Sequence, residues 1–528
     1  MTLVLHADVI VVGASLGGTI AARAAARAGL NVILTEQTDW IGGQLTSQAV
    51  PPDEHRWIES FGCTASYREF RDRVREYYRR NYPLNDEAMN DPVLNPGNGW
   101  VSRIAHEPKI ALRVLEDMMA AYINSGQIRI LYHTVPNGAD CKGDHVQSVS
   151  VRHVHTGEEL VLTGEYFLDG TDNGDLLPIV GAEYVVGAES GEETGEPHAL
   201  FKADACDIQS ITHVAALEYV EGGNFMIERP ASYDFWKAYT PLPDRMPLFS
   251  WFAGDANDTT KQKQFTMFPN DQGITPLWTY RRIVDPSIWR EALPTGEVTL
   301  LNWAQNDYYL APIIGVGSQK QREHEEQARD LTRSLVYWLQ TEAPRLDGGA
   351  GYPGVRLRGD ILGTTDGLAK TAYIRESRRI KARYTVTEHD VSKELRGDQG
   401  IKQYRDSVGV GSYHLDLHPT TKSLRSFYIP NYPYEIPLGS LIPIRMKNLL
   451  PACKNIGMTQ IANGCYRLHP TEWNIGEAAG YLAAYCLRHG IQPAHVLDSS
   501  EHLEQYQLLL THQGVELHWP DEVYDTMY

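Results

Sequence analysis

Between Asp8 and Glu36 the chain places Gly13, Ser15, Gly17 and Gly18 after one apolar run and ends the next apolar run on a carboxylate. Residues of these types at this spacing can hold a dinucleotide. A tight turn that opens a helix, here at Leu16, presents unpaired backbone N–H groups and the positive end of a dipole to a pyrophosphate. Glu36 lies about 20 residues beyond the turn, with Gln37 beside it, where a carboxylate can accept hydrogen bonds from a ribose diol. The fingerprint G-x-G-x-x-G is filled by Gly13, Ser15 and Gly18. Ser15 thus puts a hydroxymethyl group where a glycine normally lets the backbone approach phosphate, and Gly17 can compensate. A plain βαβ unit without a nucleotide is the alternative reading of these residues alone. Near the other end of the chain, Arg467 and His469 precede Pro470. The imidazole titrates near neutrality and suits proton transfer, whereas the guanidinium stays charged and suits anion stabilisation.

These groups need elements to position them. Asp8 to Val12 reads as a buried strand, Leu16 to Ala28 as an alanine-rich helix ended by Gly29, and Asn31 to Thr35 as a second strand. Ser66 to Arg80 is an arginine-rich helix, read as a solvated face. Residues 81–99, rich in Asn, Asp, Pro and Gly, read as an irregular loop and a candidate lid. Val146 to Leu162 reads as an antiparallel excursion turning at Thr156-Gly157, and Tyr166 to Asp169 as a returning strand. From Gly187 to about Gly359 aromatic residues accumulate, among them Trp236, Trp251, Trp278, Trp303, Tyr308 and Tyr309; density of this kind is more often core than ligand platform. Lys320 to Leu339 has helical spacing through Ala328, Leu331, Leu335 and Trp338.

Glu36 also opens the pattern E-x(5)-GG-x-x-T, completed by Gly42, Gly43, Gln44 and Thr46. This pattern resembles that of the FAD-dependent oxidoreductases of the glutathione-reductase structural type. The run from Asp169 through Gly170, Thr171, Asp172, Asn173 and Gly174 to Asp175 and Leu176 is similar to that family's D-A-T-G-D-G-D-L, with Gly170 and Asp172 as departures. Asn448 to Gly480 resembles its closing segment, in which a strand, a basic residue and a proline-started helix bearing G-x-A-A-G lie under the flavin. The resemblance implies an α/β fold: a Rossmann-like FAD-binding domain (1–186 and 360–495), an inserted, aromatic-rich substrate domain (187–359) and a C-terminal tail (496–528). It implies FAD contacts from Gly13, Ser15, Leu16, Gly17, Gly18, Glu36, Gln37, Gly42, Gly43, Gln44, Thr46, Asp169, Asp175, Asn474 and Gly476.

The expected activity is removal of a hydride from an alcohol or amine carbon of a small or medium-sized substrate. His469 is the first candidate base and Arg467 the anion stabiliser, with Asp307, Tyr308 and Tyr309 next in line. A redox-neutral flavoenzyme acting by transient oxidation and a non-catalytic flavin-binding regulatory module are the rival readings. Neither Gly315-Val316-Gly317 nor Gly409-Val410-Gly411 continues into a second fingerprint, so no NAD(P)H domain is expected. Re-oxidation then falls to oxygen, a quinone or a carrier protein. A net charge of −19 disfavours nucleic acid and anionic membranes as partners. Six scattered cysteines form no C-x-x-C and no metal-like spacing, so no metal is expected. No apolar run approaches the roughly 18 residues needed to span a bilayer, and no basic leader precedes the first strand, so a cytoplasmic location is expected.

Overall fold

The structure, a computed structural model, describes residues 3–242, 244–255 and 258–523. Its central sheet is built from β1 (Val9–Val12), β2 (Val32–Thr35), β3 (Ile128–Leu131), β4 (Tyr166–Asp169) and β5 (Leu449–Pro451), all parallel, in the order β5-β4-β1-β2-β3. A parallel sheet must be covered on both faces, which is why β1, β2 and β4 are apolar and buried almost throughout. Alternation then divides their side chains. Val9, Val11 and Leu168 face α1 (Leu16–Arg27) and α2 (His469–His489), whereas Ile10, Val12 and Phe167 face a second, four-stranded sheet through Val146, Val149 and Leu162. That second sheet contains the antiparallel strands His145–His153 and Glu159–Thr163, joined across the expected turn.

Register sets the place of any ligand. Val12, Asp169 and Pro451 lie level across β1, β4 and β5, so all three strands deliver their following turns to one edge. Ligands of open α/β sheets bind at this carboxyl edge. The two helices behind the sheet touch through backbone. A Cβ on Gly476 of α2 would lie 2.1 Å from the Gly17 carbonyl oxygen of α1, and one on Gly480 2.3 Å from that of Ala21.

Residues of the 187–359 segment form an antiparallel sheet, ordered Arg282–Val284, Val298–Leu301, Ala215–Tyr219 and Val355–Leu357, backed by the helix Ser318–Thr341. Its core joins Ala328, Leu331, Leu335 and Trp338 of that helix to Leu217, Leu301, Trp236, Trp251, Trp278 and Trp303, so most of the aromatic density is packing. Residues 95–101 dock on this body, with the Trp100 and Val101 N–H groups donating to the Thr279 and Tyr280 carbonyls.

Two expectations change. The arginine-rich helix, Ala65–Asn81, is not simply a solvated face: Arg71 and Arg75 are buried, Arg71 pairing with Glu54 at 2.8 Å and Arg75 with Glu59 at 2.7 Å. The residues beyond 495 carry the helix Ser500–His512, whose Leu503, Tyr506 and Leu510 enter the main core, and Trp519 donates to the Tyr434 carbonyl. Among the described residues no helix is long and apolar enough to cross a membrane.

Candidate active site

At the carboxyl edge the glycine turn is as tight as its sequence demands. Gly13 has φ +93°, and a Cβ there would meet the Gly170 carbonyl oxygen at 2.6 Å. Ser15 caps α1, its Oγ accepting from the Gly18 N–H at 3.2 Å, while Leu16 is core. The second glycine pair folds onto this turn: the Gly42 N–H donates to the Ala14 carbonyl at 2.9 Å, and Gly43 abuts Ser15. Thr46 Oγ1 closes that loop on the Ile41 carbonyl. Glu36 ends β2 with Oε1 accepting from the Thr38 N–H (2.8 Å) and hydroxyl (2.7 Å), and burial pushes its pKa up to about 7. Asp169 ends β4; burial likewise raises it to about 7, and its Oδ2 is buried without a partner among the described residues.

A cavity of about 360 Å³ starts at Gln37, beside Glu36, and passes Asp172, Asn173 and Asp175 to Gln48 and Ile374. Asn173 Oδ1 and Thr371 Oγ1 are buried at this wall without partners among the described residues. A glycine cradle, a carboxylate at the end of β2 and, next to it, a cavity wall with orphaned polar atoms fit a dinucleotide. One feature of the cradle was not foreseen. The Gly17 N–H donates to Glu472 at 3.1 Å, Gln44 donates to the same carboxylate and to the Arg467 carbonyl, and buried Lys454 stands 3.4 Å from Glu472 while pairing with Asp172 at 2.6 Å. A carboxylate therefore shares the positive end of α1.

The closing helix starts as expected at His469-Pro470, but His469 is set differently from a free base. It is fully buried; the Asp53 N–H donates to Nδ1 at 3.2 Å, which leaves Nε2–H to donate to the Val50 carbonyl at 3.1 Å. Burial lowers its pKa to about 3. Both nitrogens are thus committed to tying residues 50–53 to the start of α2. Asn474 donates to the Val408 carbonyl, Gly476 serves the contact with α1, and the Tyr308 hydroxyl is taken by His324 and Gln327 inside the 187–359 core. Asp175 pairs with Arg378 at 2.8 Å.

Arg467 does face a cavity, of about 500 Å³, bordered by Asp53, Trp100 and Val101, the 187–359 body and residues 413–428. Three arginines line it, each against an aspartate: Arg281 with Asp53 at 3.2 Å, Arg375 with Asp307 at 2.9 Å, Arg467 with Asp416 at 3.0 Å. His418 bridges two of these pairs, its Nδ1–H donating to Asp307 at 2.7 Å and its Nε2 lying 3.4 Å from Asp416. Burial opposes ionisation of Asp307, but Arg375 and His418 hold its pKa down to about 2; burial likewise opposes Asp416, and His418 and Arg467 hold it below the usual carboxylate range. Residues 371–375 divide the two cavities: Thr371 and Ile374 border the first, Tyr373 and Arg375 the second. Arg281, Asp53, Asp416 and His418 were not singled out in the sequence. Only the i, i+2 spacing of Asp416 and His418, on one face of an extended run, hints at a shared site.

A family model described as FAD dependent oxidoreductase matches residues 8–509. Among curated proteins none matches the chain. Solved structures it is similar to include L-proline dehydrogenase from P. horikoshii, with 12% identity, TM-score 0.19, and 35% of this chain and 24% of that one covered. A geranylgeranyl bacteriochlorophyll reductase-like protein from Thermoplasma acidophilum has 11% identity, TM-score 0.31 and coverage of 97% and 85%. Sdh1 of Mycobacterium smegmatis, in complex with UQ1, has 12% identity, TM-score 0.30 and coverage of 92% and 69%. The chain thus spans about a quarter of the length of the first of these, and at such scores none of the three carries an argument; the family match, over nearly the whole chain, does. The chain belongs to the FAD-dependent oxidoreductases, an enzyme whose cofactor is FAD.

Proposed function

We propose that this oxidoreductase removes a hydride from an alcohol or amine carbon of a small or medium-sized substrate bound in the 500 Å³ cavity. The observation that carries the reading is the meeting there of Arg467, next to the start of α2, with His418, whose ring is bonded to Asp307. FAD, when bound, would supply the two-electron acceptor, and Gly13, Ser15, Gly18, Glu36, Gln37 and Asp175 would hold it. In its neutral form His418 takes the heteroatom proton at Nε2, 3.4 Å from Asp416, while Asp307 fixes the ring through Nδ1–H, so the two carboxylates flank the imidazolium that results. Arg467 places a permanent positive charge beside the reacting region. His469 acts one step back, by holding Val50 to Asp53 and with them the Asp53–Arg281 pair.

Residues 1–186 and 360–495 are read as the FAD-binding domain and 187–359 as the substrate domain. Oxygen, a quinone or a carrier protein is the second substrate. Six free cysteines, four of them buried, suit a reducing compartment such as the cytoplasm. Anaerobic mixing of the purified yellow protein with alcohols and amines tests the reading. Bleaching of the flavin by at least one of them is expected; product without bleaching means redox-neutral chemistry, and neither product nor bleaching across both classes contradicts hydride removal.

A further inference from the structure

We infer that the substrate carries a carboxylate, bound by the arginines of the 500 Å³ cavity, so that it is a hydroxy acid or an amino acid rather than a neutral alcohol or a simple amine. The inference rests on the hydride-removal reading and narrows its substrate class. Unspent donors give the first reason. Arg281, Arg375 and Arg467 line the cavity at 7%, 2% and 2% exposure, and each spends only part of its guanidinium on protein. Arg281 donates from Nη2 to Asp53 at 3.2 Å; its Nε and Nη1 make no hydrogen bond to a described residue, although Nη1 also lies 3.2 Å from that carboxylate. Arg375 spends Nη1 on the Ser210 carbonyl and the Thr212 hydroxyl and Nη2 on Asp307, which leaves Nε unpartnered among the described residues. Arg467 spends Nη1 on the Tyr373 hydroxyl and Nη2 on Asp416, with the same result for Nε. A buried N–H without a partner costs stability, so three such arginines at one cavity wall point to a ligand that accepts from them.

The balance of donors against acceptors gives the second reason. Asn302 Nδ2 and Trp303 Nε1 line the same cavity and are also buried without partners among the described residues. With the four arginine nitrogens they make six unpartnered donor atoms, against a single unpartnered acceptor in this lining, Asn302 Oδ1. A carboxylate only accepts, and its planar pair of oxygens matches the fork of a guanidinium. The one acceptor suits the hydroxyl or amino group on the neighbouring carbon. A neutral polyol brings a donor with every acceptor, and a simple ammonium brings donors alone, so both would set N–H or O–H groups against N–H groups. The existing ion pairs are no obstacle. A guanidinium has more N–H donors than one carboxylate takes up, so the substrate binds the spare ones while Asp53, Asp307 and Asp416 keep theirs and no buried pair is broken. Lys263 lines the cavity as well and adds attraction for an anion, against which Asp255 on the same lining counts. The surplus that decides is therefore one of buried guanidinium donors rather than of net charge. The volume, about 500 Å³, lies in the range of small-molecule sites.

The test uses the FAD-loaded protein and two readouts, fluorescence of the cavity tryptophans, Trp100 and Trp303, for binding and anaerobic flavin absorbance for reduction. The probes are L-lactate, L-malate, L-mandelate and L-glutamate against lactamide, D-glucose and propylamine. Saturable binding of at least one carboxylate is expected, with affinity at least tenfold above that of every probe without one; bleaching by the hydroxy acids or by glutamate then separates the two kinds of substrate. Arg281→Lys keeps a positive charge opposite Asp53 but removes the unpartnered guanidinium nitrogens, and it should weaken carboxylate binding at least tenfold with FAD fully retained. An Arg281 that only braces Asp53 would instead give a lower unfolding temperature with unchanged affinity, which counts against the inference. The wild-type comparison decides should that variant fail to fold. Absence of binding by all four carboxylates, or equally tight binding of a probe without a carboxylate, overturns the inference; if D-glucose or propylamine then bleaches the flavin, hydride removal survives. Carboxylate binding without flavin bleaching upholds the recognition and counts against hydride removal.

Discussion

His469 carries the sharpest shift between what a residue's type suggests and what its surroundings permit. A histidine before the proline of the closing helix suits acid–base work on spacing alone. Here it is an anchor, because one nitrogen accepts from the Asp53 N–H and the other donates to the Val50 carbonyl. Its replacement by alanine strands a buried donor and a buried acceptor, so we expect a loss of stability of about 1 to 3 kcal/mol per unsatisfied group. The pH profile of flavin reduction should keep its wild-type shape. Denaturant titration and stopped-flow absorbance across pH measure the two effects; loss of a titrating limb with unchanged stability would restore His469 as the base. Arg467 was legible because the segment Asn448 to Gly480 resembles the family's closing segment, with its basic residue before a proline-started helix. The sequence left Arg281, Asp53 and His418 hidden, since each acquires its role only from partners distant in the chain: 228 residues separate Arg281 from Asp53 and 111 separate His418 from Asp307.

Among the elements, β1, α1 and β2 were readable in advance, because a buried parallel strand is a continuous apolar run and a glycine turn leaves few alternatives. The helix Ala65–Asn81 was misread because composition shows six arginines and not that Glu54 and Glu59 lie beneath two of them. Gly476 shows the same limit from the other side. Its pattern G-x-A-A-G marks a closely packed helix, but only the fold reveals that the neighbour is the Gly17 carbonyl of α1, at a distance no Cβ tolerates. Gly476→Ala should therefore push α2 from α1 and disturb the amides of the glycine turn. We expect destabilisation of about 1 to 3 kcal/mol, the usual scale of overpacking, together with weaker FAD retention. Thermal unfolding and FAD release on gel filtration would show both. A variant as stable and as yellow as the wild type would mean that the two helices can slide apart freely.

Across the whole molecule, burial shifts imidazoles down and carboxylates up. Burial lowers His55, His106 and His414 to about 4 and His213 and His469 to about 3. Each has a folded pKa below its unfolded value near 6.5, so between these values the unfolded chain binds more protons and stability falls as pH falls. Glu36 and Asp169, raised to about 7, act in the opposite sense between about pH 4 and 7.

On our proposal the chemistry lies in one place, where Asp53, Trp100, the 187–359 body and residues 413–428 meet Arg467. The most direct test is the anaerobic rate of flavin reduction by a bleaching substrate in His418→Asn compared with the wild type, with FAD content measured in both. Loss of a general base typically costs 10²-fold to 10⁴-fold, and a fall of about that size with FAD fully retained is the predicted result. Reduction at the wild-type rate by a fully loaded His418→Asn protein would contradict the assignment of this cavity as the site of proton and hydride removal.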